Sequence, residues 1–257
     1  MKVRTTLVTA STLVLCLAAA GCGPDDGGDK GAGAKATASR TPVSGSGPTA
    51  TPGAGSAPAP TPTSNGRTLT EAELAKVVLA TDEVPGFEIA PLEGIDERGT
   101  EEPDDEACRP ITAIINGSPE PAPAATVFRT ATDTREEGKD DPTVVTEILT
   151  SHPKGGAEEL LRSVRDAARN CADGFRTTSE DGPSTYTEVK TLPVVQAGQE
   201  SFAYQVTGSL EGARVPLVFH LVRTGSTVVT FYAADFLTAT TPEVPAALVT
   251  AQAAKLP

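Results

Sequence analysis

Few residues in this sequence have the types and spacing that catalytic sites use. Its two histidines, His152 and His220, have no partner at the spacing of metal ligands, and no H-E-x-x-H pattern occurs. A G-x-S-x-G elbow, a phosphate-binding loop and a dinucleotide-binding glycine pattern are absent as well. We therefore expect no catalytic residue, no metal site and no cofactor, and we interpret His220 as a strand residue that faces a sheet surface.

Two further groups of side chains could form a functional site: a set of acids and a set of aromatic residues. Glycosidases use a pair of carboxylates about 5–9.5 Å apart across a cleft. The less favoured alternative is therefore a carboxylate-based hydrolase that uses two of four acids: Glu147, Glu188, Glu200 and Asp235.

The chain has no Trp, three Tyr and seven Phe, which is sparse for a sugar-stacking platform. Core packing is the ordinary role of the aromatic residues that are candidates for lining a pocket: Tyr186, Tyr204, Phe231 and Tyr232.

Cys22 stands at the end of an export signal. Lys2 and Arg4 precede an apolar stretch, residues 7–20, which is too short to cross a bilayer as a helix. It ends in small residues followed by cysteine, LAAAGC, and this segment resembles the bacterial lipobox, with Ala19 where Leu is commonest. The resemblance, to secreted lipoproteins of Streptomyces-like actinobacteria, implies cleavage before Cys22 and a palmitate-bearing diacylglyceryl group on its thiol. The alternative is an ordinary signal peptide cut near Ala20.

The composition divides the chain into three parts. Residues 1–21 are the expected signal peptide, residues 22–66 a tether and residues 67–257 one domain. The tether is rich in Gly, Ala, Pro, Ser and Thr, so we expect it to be disordered, with an r.m.s. span of roughly 35–40 Å. An acylated cysteine would then hold the domain at the outer face of the cell membrane.

The domain is strongly acidic. Three of the 34 acids and five of the 21 bases lie before residue 67, which leaves 31 acids against 16 bases, a net charge of −15. This charge excludes nucleic acid as a partner. Eleven acids lie in residues 82–106, against a lone base, Arg98. Since the spacing of a calcium loop is absent, we interpret residues 95–106 as a solvated, self-repelling loop, with a weak Ca²⁺ site or a docking face for a basic partner as the alternative.

Two cysteines remain once the lipobox is assigned. Cys16 lies in the discarded signal and Cys22 takes the lipid, which leaves Cys108 and Cys171 in an oxidising compartment. We expect one structural disulfide between them.

Hydrophobic periodicity predicts four helices and seven strands. A capping box at Thr70–Glu73 opens a helix that runs to about residue 80, with Leu69 and Leu74 as a hydrophobic staple. The other predicted helices cover residues 109–116, 156–170 and 243–255. The predicted strands cover residues 87–91, 125–131, 143–150, 185–192, 201–207, 213–223 and 226–236. The last two strands are apolar on both faces and therefore need cover on both.

This order predicts an α+β fold. We expect a mainly antiparallel twisted sheet of six to seven strands, flanked by three to four helices and held by one disulfide. The opening helix with DEVPGF (residues 82–87), the two cysteines at helix ends and the terminal strands and helix resemble extracellular sensor domains of mycobacterial serine/threonine kinases and PsbP-like cell-wall lipoproteins.

The predicted function follows from the anchor, the tether and the missing catalytic pattern. We expect a monomeric, non-enzymatic, sensor-like module of the cell envelope that binds a small hydrophobic ligand or an envelope protein. A purely structural spacer lipoprotein is the alternative, beside the hydrolase.

Overall fold

The computed structural model describes residues 66–92, 98–135, 143–210, 212–236 and 240–257. The signal peptide, Cys22 and the tether up to residue 65 lie outside the described residues, so their assignments stay predictions. No helix in the described part of the chain is long and apolar enough to span a membrane.

The described chain contains four α-helices, one short 3₁₀ helix at Glu106–Cys108 and nine strands. The helices are α1 (Glu71–Val77), α2 (Arg109–Ile115), α3 (Gly156–Asn170) and α4 (Ala246–Lys255). The strands are β1 (Phe87–Pro91), β2 (Glu102–Pro103), β3 (Ala125–Asp133), β4 (Val144–Ser151), β5 (Phe175–Ser179), β6 (Gly182–Thr191), β7 (Glu200–Leu210), β8 (Ala213–Thr224) and β9 (Thr227–Ala234).

All nine strands form a single antiparallel sheet in the order β1-β3-β4-β9-β8-β7-β6-β5-β2. The α+β class is confirmed, whereas the prediction of six to seven strands is wrong because β2 and β5 were not foreseen. Strand β5 buries only Phe175 and Thr177, so its apolar alternation is weak. Strand β2 has two residues, one of them proline, and pairs only with β5 among the described strands.

Two helical layers cover the central strands, one on each face. On the first face, helices α2 and α3 cover apolar side chains of β6 to β8, among them Tyr204, Phe219 and Leu221. On the opposite face, helix α4 contacts β8 and β9, and helix α1 contacts β3 and β4, around a core that includes Val218, Val229 and Phe231. We call these the α3 face and the α4 face. Helix α3 on one face and helix α4 on the other therefore provide the cover that β8 needs.

The helix ends show where the sequence signals were right and where they were wrong. Helix α1 has the predicted capping box between Thr70 and Glu73, but it ends at Val77 rather than near residue 80. Helix α4 begins at Ala246, not at residue 243, because its N-cap Pro245 has an extended backbone. The irregular residues before α4 form one wall of a cavity.

The predicted disulfide is present. The Cys108 and Cys171 Sγ atoms are 2.02 Å apart and join the start of α2 to the end of α3 across 63 residues. Both cysteines are buried within the core of the α3 face.

Removal of this cross-link should lower stability without changing the fold. In the chain-entropy model a loop of this length contributes about 4 kcal/mol. We expect the Cys108→Ala/Cys171→Ala variant to lose about 3–4 kcal/mol in urea unfolding under oxidising conditions. The wild-type protein treated with a reductant should match the variant; a reductant with no effect on wild type would contradict the assignment.

A buried carboxyl lies under the α4 face. Glu147 on β4 is 1% exposed, and neither carboxyl oxygen has a hydrogen-bond partner among the described residues. The amide of Leu79 acts on its pKa in the lowering direction but donates to the Gln252 side chain at 2.8 Å. Burial dominates and raises the pKa of Glu147 to about 8, so the group is protonated at neutral pH.

This raised pKa predicts a pH-dependent stability. The folded pKa lies above the unfolded value near 4.5, so the stabilisation is complete below pH 4.5 and is lost as pH rises through about 8. Glu147→Gln should flatten this decline and leave the variant more stable than wild type by roughly 2–4 kcal/mol above pH 8. Thermal unfolding followed from pH 5 to pH 9 measures the effect.

The control is Glu188→Gln on β6, whose side chain is 42% exposed. This substitution should leave the loss of stability with rising pH unchanged. Parallel curves for wild type and Glu147→Gln over the whole range would show that Glu147 ionises freely in the folded protein.

Candidate functional site

The four carboxylates of the hydrolase alternative do not share any of three surface cavities whose linings follow below. Glu147 is sealed in the core. Glu200 bonds Arg165 at 2.8 Å and Arg223 at 3.2 Å. Burial would raise the pKa of Glu200, but these two arginines hold it below its ordinary value. Glu188 lies 3.6 Å from Arg214, and Asp235 accepts a hydrogen bond from Thr240. None of the four lines one of the cavities.

The four aromatic candidates divide between the two faces. Tyr186, Tyr204 and Tyr232 belong to the α3 face, where a run of stacked rings joins Phe202, Tyr204, Phe219 and Tyr232 at centroid distances of 5.1–5.6 Å. Phe231 points to the α4 face. The three tyrosine rings stack on neighbouring rings, and Phe231 is buried in the core of the α4 face. All four therefore have the core-packing role that is ordinary for aromatic residues.

Two neighbouring cavities, of about 290 and 680 Å³, flank Glu101 and Asn116. The Glu101 carboxylate accepts three hydroxyl hydrogen bonds of 2.8 Å, from Thr177, Ser184 and Tyr186. Asn116 bonds the Glu101 backbone in both directions, donating to its carbonyl and accepting from its amide. The polar groups at the centre of this groove are therefore satisfied by the chain itself, which indicates a structural hub.

This hub corrects the interpretation of residues 95–106 as a free solvated loop for the part that the structure describes, residues 98–106. Beyond Glu101, the acids Glu102 and Glu106 form ion pairs with Arg109, and the Asp105 side chain accepts from the Ala107 amide. In the described parts of the chain, no group of three or more His, Cys, Asp or Glu is arranged to hold a metal ion. Residues 93–97 lie outside the described residues.

A third cavity, of about 430 Å³, lies on the α4 face over strands β7 and β8. Its floor comes from the strand register, in which Ala203 pairs with His220 and Gln205 with Val218. The alternation of β7 turns Phe202 and Tyr204 to the other face, so the small Ala203 faces the cavity. We call this cavity the His220 pocket.

Two segments that lie outside the helices and strands form its walls. The first runs from Leu192 to Val195; beyond it the chain is pinned to the sheet by Ser201, which exchanges hydrogen bonds with both backbone groups of Ala197. Gly198, at φ 61°, lets the segment return, since a Cβ there would lie 2.6 Å from the Arg223 carbonyl. The second wall is Thr241–Val244, the run before α4, where the Thr241 hydroxyl lies 3.2 Å from Gln205 Oε1.

His220 gives this mainly apolar pocket its main polar feature. The side chain is 4% exposed, and its Nε2 has no hydrogen-bond partner among the described residues. Burial lowers the pKa of His220 below its ordinary value, and the nearby backbone of Val195 opposes this shift only in part. The imidazole is therefore neutral at neutral pH.

Unpartnered buried polar atoms also occur at Glu147, His152, Tyr204 and Thr224. None of these four residues lines one of the three cavities, whereas His220 does. His152 is packed against the start of α3, with its Nε2 3.0 Å from the Thr150 hydroxyl. A mainly apolar cavity with one convergent polar group of shifted pKa is the usual form of a small-molecule site. The His220 pocket is therefore our candidate site.

The sequence placed His220 on a strand facing a sheet surface, and the structure agrees. The sequence did not reveal that two loops, residues 192–195 and 241–244, cover this surface. The available signals were the small Ala203 on an otherwise bulky strand and the prolines of both loops, Pro193, Pro242 and Pro245, which favour extended chain.

No family model matches this sequence, and no curated protein matches it. Among solved structures, the chain is similar to the extracellular domain of PknH from Mycobacterium tuberculosis, with 13% identity, 74% of this chain and 96% of that chain covered, and a TM-score of 0.46. It is also similar to LpqN, involved in cell envelope biogenesis of Mycobacterium tuberculosis, with 12% identity, 65% and 84% covered, and a TM-score of 0.23.

The hub around Glu101 yields a stability prediction. Glu101→Gln replaces one acceptor oxygen by a donor facing hydroxyl groups, so we expect a loss of about 1–3 kcal/mol in urea unfolding. The neighbouring Glu102→Gln, at a side chain 68% exposed, is the matched control and should change stability by no more than about 0.5 kcal/mol. Equal effects of the two variants would contradict the hub.

Proposed function

We propose that this chain is a lipid-anchored, extracytoplasmic, non-enzymatic module that binds a small, mainly apolar ligand in the His220 pocket. The observation that carries the proposal is a concave, mainly apolar cavity with a buried, unpartnered imidazole nitrogen on its floor. An apolar wall supplies affinity through the hydrophobic effect, and a single polar group fixes the orientation of the ligand.

The size and charge of the pocket narrow the ligand class. A cavity of about 430 Å³ lies within the usual range for small-molecule sites. Glu243 lines the pocket, and the domain carries an excess of acids, so an anionic ligand would be repelled. A neutral molecule of a few fused or linked rings, or of equivalent aliphatic size, fits both conditions.

The anchor supports a role at the membrane surface. The lipobox-like segment ending at Cys22 favours a diacylglyceryl group, and the tether after it would let the domain range a few tens of Å from the membrane. Apolar molecules concentrate in membranes, so a tethered binding domain would meet them at their source.

The proposal predicts that pocket volume controls binding. The full chain with Cys22→Ser, exported without lipid, should bind the neutral fluorescent probe N-phenyl-1-naphthylamine at one site. Ala203→Leu adds three carbons to the floor of the cavity and should weaken probe affinity at least about tenfold; because Ala203 is buried, urea unfolding of the variant checks that it remains folded. Fluorescence titration measures the affinity.

The matched control is Ala90→Leu, the same substitution on edge strand β1, outside the pocket lining. It should bind the probe like the parent chain. A parent chain that leaves the probe in water, or an Ala203→Leu variant with undiminished affinity, would favour the spacer alternative.

Anchoring is tested separately. Metabolic labelling with an alkyne analogue of palmitate should mark the wild-type chain, and the protein should sediment with envelopes. Cys22→Ser should abolish both properties, whereas Cys16→Ser should leave them intact because Cys16 lies in the expected signal. An unlabelled wild type would overturn the anchor.

A further inference from the structure

The hub around Glu101 contains a dipeptide that is prone to spontaneous modification. Glycine follows two of the three asparagines of the chain, Asn65 and Asn116. In an Asn-Gly pair the glycine nitrogen can attack the side-chain amide carbon, because glycine has no Cβ to hinder the approach. A five-membered succinimide ring forms and ammonia leaves, and water then opens the ring to aspartate or isoaspartate. The net reaction consumes one water and releases one ammonia, and it needs no oxidant or reductant.

Asn116 holds the chain segment that crosses it, residues 99–101. Its side-chain nitrogen donates to the Glu101 carbonyl at 2.9 Å, and its side-chain oxygen accepts from the Glu101 amide at 3.2 Å. Its backbone carbonyl accepts from the Gly99 amide at 3.1 Å. The segment passes so closely that a Cβ at Gly99 would lie 2.5 Å from Oδ1 of Asn116. The amide group that deamidation would remove therefore joins the end of α2 to the segment before β2.

The closed hub keeps the reacting atoms apart. Asn116 has φ −68° and ψ −7°, so the Gly117 nitrogen is turned away from the side chain that it would have to eclipse in the ring. That nitrogen also donates to the Ile114 carbonyl at 3.0 Å, and the Gly117 carbonyl accepts from Arg98. Ring closure therefore requires rotation about ψ of Asn116 and the loss of contacts on both sides of the peptide.

The hub lies where local opening is expected to need less free energy than unfolding of the core. Strand β2 has two residues and stands at the edge of the described sheet. Asn116 caps the end of α2 that the disulfide does not hold. Asn116 also borders both cavities of the groove, so water is at hand once the side chain is released. Elements at an edge, held by few apolar contacts, open more often than the core does.

We infer that Asn116 is a deamidation site controlled by opening of the hub, and that its modification makes the opening permanent. Deamidation replaces the NH₂ group that donates to the Glu101 carbonyl by an oxygen that only accepts. The new carboxylate faces a carbonyl oxygen in a groove already lined by Glu101, Glu102 and Glu120. The unpaired carbonyl and the like charges both weaken the hub. The change acts in one direction, because nothing in the reaction restores the amide.

Peptide mass spectrometry of the Cys22→Ser chain after incubation at pH 8 tests the control by the fold. Asn65 serves as an internal reference, since it lies in the predicted tether, outside the described residues, and should react like an unfolded chain. In the folded protein Asn116 should deamidate at least about tenfold more slowly than Asn65. In denaturing urea the two rates should agree within about threefold. Similar rates at the two sites in the folded protein overturn the inference.

Two variants separate opening of the hub from unfolding of the whole domain. Glu101→Gln weakens the hub and should raise the folded-state rate at Asn116 about fivefold or more. Val249→Ala removes buried methyl groups from α4, in the core of the α4 face, and should leave that rate unchanged although it lowers global stability. Neither variant should change the rate at Asn65. An acceleration by Val249→Ala as large as that by Glu101→Gln, or none by Glu101→Gln, overturns the inference.

A further measurement does not depend on the folding of a variant. Urea below the unfolding transition should raise the rate at Asn116 with a slope well below the m-value of global unfolding, because local opening exposes little surface. A slope equal to the global m-value would show that only unfolding of the whole domain releases Asn116, and it overturns the inference.

The permanence of the change is tested with a variant that reproduces one product. Asn116→Asp should lower the ratio of folded to unfolded protein at least about fivefold in urea unfolding. Asn170→Asp, at the exposed end of α3, is the matched control and should change that ratio by no more than about twofold. Asn116→Asp with the stability of wild type overturns the claim that modification keeps the hub open.

Discussion

The structure depends on the need to bury both faces of strands β8 and β9. Val218, Val222 and Val229 point to one face, and Phe219, Leu221 and Val228 to the other, so neither face of the sheet centre can remain in water. Helices α2 and α3, joined by the disulfide, cover the α3 face over β6 to β8. On the α4 face, helix α4 contacts β8 and β9. Over β7 and β8 on this face, two proline-containing loops complete the cover. Loops pack less closely than helices, and the His220 pocket lies beneath them.

The candidate site and the groove around Glu101 differ in whether their buried polar groups have hydrogen-bond partners. At Glu101, three hydroxyl groups converge on one carboxylate and pair with it, which joins β2, β5 and β6 at the edge of the sheet. At His220, a residue that lines the pocket, one buried imidazole nitrogen has no hydrogen-bond partner among the described residues. A buried polar group costs free energy until it finds a partner. The unpaired nitrogen at His220 therefore favours a ligand-binding role, whereas the paired carboxylate of Glu101 favours a structural role.

The sequence predicted those features that local pattern determines. The capping box at Thr70, the apolar stripe of α3 and the two-sided apolar strands all follow from residue types at fixed spacing, and the structure confirms them. Strand β2 was not predicted because a strand of two residues is too short to show a hydrophobic alternation. The start of α4 was misplaced because Thr241-Pro242 has the form of a helix start, although its Thr side chain bonds Gln205 instead. The role of Glu101 and the roof over His220 depend on contacts between residues far apart in sequence, which no local pattern contains.

We propose that small apolar molecules enter the space between Ala203, Val218 and His220. Nuclear Overhauser contacts from a bound ligand to methyl-labelled alanine and valine test this most directly. With N-phenyl-1-naphthylamine bound to the unlipidated chain, we predict contacts to the Ala203 and Val218 methyls and none to Ala90. Contacts confined to other methyl groups, or a saturated complex with no contact to Ala203, would contradict the claim.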